Sequence, residues 1–386
     1  MRISRHLLPK TILSLALAST YPSLLFANNT NQEIEALWQT VEQLQQKIAE
    51  ADEWKAPNTL IHLAGYADIN YANVDTINGS ESSFSTGTFA PIFHYQVMDR
   101  VMLGAELAFT LDENGATATE MEYFTIDYFM NDYATLAMGK FISPLGQFRQ
   151  NIHPSWINKL PSAPQGFGHG GAAPIADIGV QVRGGFKIGS SINANYATYM
   201  GNGVAAEMDG NIVEEAHSPG FNADVDGGKN FGGRFGMYMI DSKLDLGLSW
   251  ATGQAGEIDN SSGLQTGAKR DWDFIGTDFT WRLGGVDVRG EYVKQTYGAR
   301  GVSAKADFDA VYIQVAYRFP STKWEVVART STSNSPGITK DRVTAGVNYI
   351  FTSSVIAKLA YEGNDANTTD IKDDEDKILV QMAYGF

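Results

Sequence analysis

The segment DKILVQMAYGF, residues 376–386, alternates strictly between two kinds of side chain. Ile378, Val380, Met382, Tyr384 and Phe386 fall on one face of an extended strand, and Lys377, Leu379, Gln381, Ala383 and Gly385 on the other. The first face is apolar and ends in aromatics; the second is small or polar. A strand buried on a protein core reads this way, and so does a strand with one face to lipid and the other to water. The rest of the chain decides between them.

From residue 59 onward the period of two is sustained. In IHLAGYADINY (61–71), Ile61, Leu63, Ala67, Ile69 and Tyr71 share one face, and His62, Tyr66, Asp68 and Asn70 the other. VMLGAELAFTL (101–111) sets Leu103, Ala105, Leu107 and Phe109 opposite Glu106. The pattern predicts about sixteen strands of typically nine to twelve residues. Strands of soluble proteins average about five to six residues, whereas a tilted membrane-spanning strand needs about nine to eleven. Short connections (Met98-Asp99-Arg100, Gly284-Gly285, Pro320-Ser321-Thr322) alternate with long polar loops such as 201–228 and 252–269. Aromatics including Tyr133, Phe141, Trp250, Trp281, Trp324 and Tyr384 mark the ends of the apolar faces, as rings do at a membrane boundary. The fold class expected is all-β: a transmembrane antiparallel β-barrel of about 16 strands over residues 58–386, closed by the C-terminal strand.

Residues 1–27 read as a secretory signal. Arg2, Arg5 and Lys10 precede a mostly apolar run from Thr11 to Phe26, with cleavage after Ala27 or after Ala18. Removing these three bases leaves 26 basic and 44 acidic side chains, a net charge near −18 (26 − 44), which argues against nucleic acid as a partner. Residues 28–57 form a second unit. Ile34, Leu37, Val41, Leu44 and Ile48 make a heptad seam, so a short coiled-coil helix and linker are expected on the periplasmic side of the outer membrane of a Gram-negative bacterium. The chain has no cysteine, and hence no disulfide and no thiolate metal site.

Opposite the lipid faces lie the expected lumenal groups. The nine acids are Asp68, Glu106, Asp127, Asp245, Asp278, Asp287, Glu291, Glu325 and Glu362, and the eleven bases are Lys140, Arg183, Lys187, Arg234, Arg282, Arg289, Arg318, Arg329, Arg342, Lys358 and Lys377. The lumen is therefore roughly balanced, and the acid excess falls in loops such as DIKDDEDK (370–377). A hydrated, charged lumen favours a water-filled channel, with outer-membrane lipid outside and small ions and polar solutes within. The alternative is a structural or adhesive barrel with a closed lumen. Between the fifth and sixth strands runs ISPLGQFRQNIHPSWINKLPSAPQGFGHGGAAP (142–174), expected to fold inward and narrow the pore, with Arg149, His153 and Lys159 at the constriction. The six histidines suggest no Ser/His/acid set, so neither an enzyme nor a cofactor is expected.

The segment GKFISPLGQF (139–148) followed by HPSWINKLPSAP (153–164), behind a signal and a short coiled coil, resembles the phosphate-selective porin O/P family. The resemblance implies a trimeric outer-membrane channel, anion-selective in some members. Those members cluster lysines in the constriction. Here the loop holds one, Lys159, so general diffusion of small solutes stands beside passage of anions.

Overall fold

The structure, a computed structural model, describes residues 59–76, 79–168, 170–224, 226–368 and 374–386. The expected signal, coiled coil and linker, and His169 of the inward loop, lie outside the described residues.

Among the described residues, eighteen strands form one sheet: β1 Thr59–Thr76, β2 Gly79–Val97, β3 Val101–Leu111, β4 Thr117–Asn131, β5 Ala134–Ile142, β6 Ala176–Ile188, β7 Ile192–Gly201, β8 Val204–Asp209, β9 Ile212–His217, β10 Asn230–Met239, β11 Leu244–Asp259, β12 Gln265–Leu283, β13 Val286–Tyr297, β14 Ala306–Arg318, β15 Trp324–Ser335, β16 Ile338–Ile350, β17 Val355–Ala366 and β18 Lys377–Gly385. Sixteen of them make a closed antiparallel wall. β7 pairs with β10, and β18 returns to pair with β1. Closure leaves no strand edge, which a lipid environment requires because nothing there can satisfy open backbone groups. The remaining two strands, β8 and β9, form a hairpin between β7 and β10, with β8 running parallel to β11.

The outer face is apolar. Ile378, Val380, Met382 and Tyr384 of the closing strand are all exposed, as are Leu246, Leu248 and Trp250 on β11 and Val311, Ile313 and Val315 on β14. At the short-turn rim Tyr317, Phe319, Trp324, Tyr349 and Phe351 stand edge to edge, with centroids 4.8–5.1 Å apart. Such rings place an apolar body and a polar edge at the headgroup level. Leu248 lies midway along this band, above Leu244, which is in register with the girdle residue Trp281. Leu248→Arg is expected to destabilise the barrel by about 2–4 kcal/mol, the cost of arginine near the bilayer midplane. Unfolding in lipid vesicles measures this, and a loss below that range would place Leu248 outside the band.

The long polar loop expected at 252–269 is a hairpin of paired strands. The stretch 252–269 is mostly ladder: Thr252 pairs with Asp273 and Gly256 with Lys269, leaving only a short turn after Asp259. Tight connections also occur on that rim at Thr76/Gly79 and Ser335/Ile338. Those strands continue past the apolar band into water. There both faces become polar and Gly-rich, and sequence alone reads them as loop.

Candidate functional site

The inward loop, residues 143–175, leaves β5 and returns to β6 at one point, where Ser143 N donates to Ile175 O at 2.9 Å. Between these ends it crosses the lumen and lies along the inner wall from β11 to β18. At its start, Glu291 on β13 accepts two backbone N–H groups, Gln147 at 3.0 Å and Phe148 at 2.8 Å, and Gly146 N donates to Ser249 Oγ at 3.0 Å. A Cβ at Gly146 would overlap the Glu291 carboxylate, and its φ of +84° also suits glycine. A single wide helical turn follows at Phe148–Ile152, closed by His153 N to Phe148 O at 2.9 Å.

Apolar packing then holds the loop. Phe148 and Phe167 pack edge-on against Tyr312 of β14, with centroids 6.1 and 5.0 Å away. Leu160 is fully buried among Ala316, Val327 and Ala360, and a Cβ on Gly346 would come within 2.9 Å of it. Small wall residues thus make the hollow that a large loop residue fills.

Polar contacts complete the seat. Lys159 Nζ meets Glu325 Oε2 at 2.5 Å, Lys358 Nζ donates to Ser155 O at 2.5 Å, and Arg329 donates to Ser162 O and Ala163 O at 3.1 and 3.2 Å. Ser162 also bonds the Glu362 carboxylate.

The larger share of the open space lies against β1–β7 and β10, and a further cleft of about 290 Å³ lies between loop residues 163–172 and Phe308, Ser333 and Arg342 of β14–β16. One cleft of about 380 Å³ is bordered by Tyr66, Asp68 and Glu122 on the wall and by Arg149 and His153 on the loop. Two more, of about 230 and 400 Å³, share Gln150 and Arg183; the smaller includes His94 and Asp127, the larger Asn195, Arg234 and Asp245. Charge here is largely matched. Arg183 pairs with Asp127, which is fully buried. Arg234 makes a two-pronged bond to Asp278, Nε–Oδ2 at 2.8 Å and Nη2–Oδ1 at 2.6 Å. Arg149 differs: it is 8% exposed and its Nε has no hydrogen-bond partner among the described residues. Burial pulls its guanidinium pKa below the ordinary arginine value, while the Glu122 carboxylate opposes that shift.

The expected site residues separate into groups. Arg149, His153, Arg183, Arg234 and Asp127 border the opening, and Glu106, 3% exposed, lies beside Tyr66 at its edge. Lys159, Arg329 and Arg342 are spent on seating the loop, Arg342 donating to Asn364 Oδ1 at 2.6 Å and to Ala163 O at 3.4 Å. Arg289 is bound to Asp287 on its own strand. Arg282 and Arg318 stand at the short-turn rim, bonded to Asp287 and to Thr322 O. Lys140, expected in the lumen, faces outward. It pairs with Phe124 and Ile178 in the outward row, because Ala137, Gly139 and Phe141 take the inward one. Phe141 is accordingly buried against Tyr199, with centroids 5.6 Å apart, and is no girdle residue.

Glu122 and Gln150 join the site without a signal in the alternation, whereas Glu291 lies inward as its strand pattern requires. Glu122 turns inward because a bulge between β3 and β4, after Glu106, reverses the alternation. Among the described residues, the one group of three metal-ligating side chains lies elsewhere, on β8–β9.

A closed sixteen-strand barrel with an apolar exterior, a polar interior and a loop folded into the lumen is the architecture of a porin. Residues 230–386 match the family model of phosphate-selective porin O and P. Solved structures of similar fold include an anion-selective porin from Comamonas acidovorans (TM-score 0.59, 12% identity, 85% of this chain and 100% of that one). They also include a loop-deletion form of OmpT, an outer membrane protein of Vibrio cholerae (0.57, 12%, 85% and 99%), and the outer membrane channel DcaP of Acinetobacter baumannii (0.57, 10%, 86% and 99%). No curated protein sequence matches the chain.

Proposed function

We propose that the protein is an outer-membrane porin that admits ions and small polar solutes through the opening between its inward loop and the wall of β1–β7. The observation that carries this is the position of the loop, seated on β11–β18 by Glu291, Lys358 and Arg329, with open space left beside Gln150 and Arg183. The heptad seam of residues 34–48 supports assembly into a homotrimer with its coiled coil in the periplasm. Anions remain candidate solutes, since arginines line the opening, but most of these arginines face a carboxylate. Paired charges produce a weak net field beyond the pair.

Single-channel recording in planar bilayers tests this reading. Steady, stepwise conductance with three equal substeps is expected, together with a reversal potential in a salt gradient close to zero. No conductance from folded protein would favour the closed structural barrel. A strongly one-signed reversal potential would mean that the pairing seen here does not govern passage.

A further inference from the structure

We infer that the β8–β9 hairpin carries a binding site for a zinc-like transition-metal dication, formed by Glu207, Glu215 and His217. The hairpin register sets Glu207 directly opposite Glu215 and Ala205 opposite His217, so the three side chains share one face. One donor atom from each lies within 4.8 Å of the others, and His217 Nδ1 stands 3.9 Å from Glu207 Oε2. A tetrahedral zinc site, with bonds of about 2.0–2.2 Å, holds its donors roughly 3.3–3.5 Å apart. Small side-chain rotations therefore suffice to close the set around an ion.

The surroundings favour such an ion. The opposite face of the hairpin is buried: Ala206, Met208, Val213 and Ala216 join the apolar cluster of Phe167 and Trp272, so the backbone beneath the ligands is held. The His217 ring is packed by Phe221, 5.6 Å away. Gly170 of the inward loop lies close against the Glu215 carboxylate, where a Cβ would overlap it, so the loop backbone limits where that carboxylate can move. One imidazole with two carboxylates matches zinc and its neighbours, whereas calcium and magnesium take shells of oxygen. Three protein ligands leave a fourth position for water. A bound ion would tie the hairpin to itself where it packs on the inward loop. The inference does not depend on solute passage.

The test is a titration of untagged, refolded protein in detergent with cobalt(II), followed by zinc competition against a chromophoric chelator. The expected result is one ion per chain, with visible cobalt bands typical of low coordination that zinc abolishes. His217→Ala and the double variant Glu207→Gln/Glu215→Gln are expected to weaken binding by more than about tenfold, the lower cost of losing even an outer-shell partner. These half-buried positions lie on the β8–β9 hairpin, outside the sixteen-strand wall, so the barrel stays intact, as far-ultraviolet circular dichroism will show. His62→Ala disrupts the other histidine cluster, in which His62 Nδ1 and His94 Nδ1 are 3.3 Å apart, and is expected to leave the stoichiometry unchanged. The proposal is overturned if wild-type protein fails to compete with the chelator, if His217→Ala binds as wild type does, or if His62→Ala abolishes binding. Each readout is independent of conductance, so failure of the pore reading and failure of the metal site are separable.

Discussion

Excising residues 146–172 and joining the ends with a short glycine–serine linker raises the single-channel conductance severalfold. The deletion is geometrically permitted, because Ser143 and Ile175 are already hydrogen-bonded where the loop leaves the wall. It is also energetically tolerable. The wall groups that lose loop partners, such as Glu291, Glu325, Arg329 and Lys358, come to face a lumen that refills with water. A wall of sixteen strands encloses an aqueous channel, so removing the loop restores most of that cross-section. The measurement is mean conductance in planar bilayers at fixed salt. Unchanged conductance would show that the loop does not lie in the conducting path. A milder form tests the seat alone: Gly346→Leu would push Leu160 out of its hollow and is expected to make the open current noisier without closing it.

Asp278→Ala destabilises the barrel by roughly 3–5 kcal/mol, the cost of leaving one member of a buried ion pair uncompensated. The Asp278 side chain has no solvent exposure and that of Arg234 has 8%. Two short hydrogen bonds join them, and the guanidinium also donates to Asn195 Oδ1 at 3.2 Å. Gly247 sits against the pair, where any side chain would collide with it. Denaturant unfolding of refolded protein gives the loss. Replacing both partners by residues of similar volume should recover most of it, since no charge is then stranded. A single substitution costing under about 1 kcal/mol, the range of an exposed pair, would mean that water reaches Arg234 freely.

The lipid-facing half of the barrel was legible in the chain because its rule is local. Where one face meets lipid, every second residue is apolar, and Ile378, Val380, Met382 and Tyr384 are exposed as that rule requires. The same rule counted the wall strands and singled out the loop after β5, whose length and prolines interrupt the period. It failed where the period itself changes. A bulge between β3 and β4 turned Glu122 inward. On β5, small inward residues made Lys140 look lumenal and Phe141 look like a girdle ring. Past the membrane, the continuing ladder of β11 and β12 carries no apolar alternation and so read as loop.

Sequence by itself therefore determined the class of fold, the strand count, the closing strand and which segment enters the lumen. These follow from solvent contrast, which every strand meets separately. Tertiary structure alone decided the role of each lumenal charge. Lys159 looks like a pore cation until it is seen against Glu325, 166 residues away, and Arg329 looks the same until it is seen holding Ser162 and Ala163. Arg149, by contrast, borders the open cleft beside Glu122 and does not fasten the loop to the wall. An ion pair is a property of two distant positions brought together by strand register and loop path, and no pattern within a single strand records it.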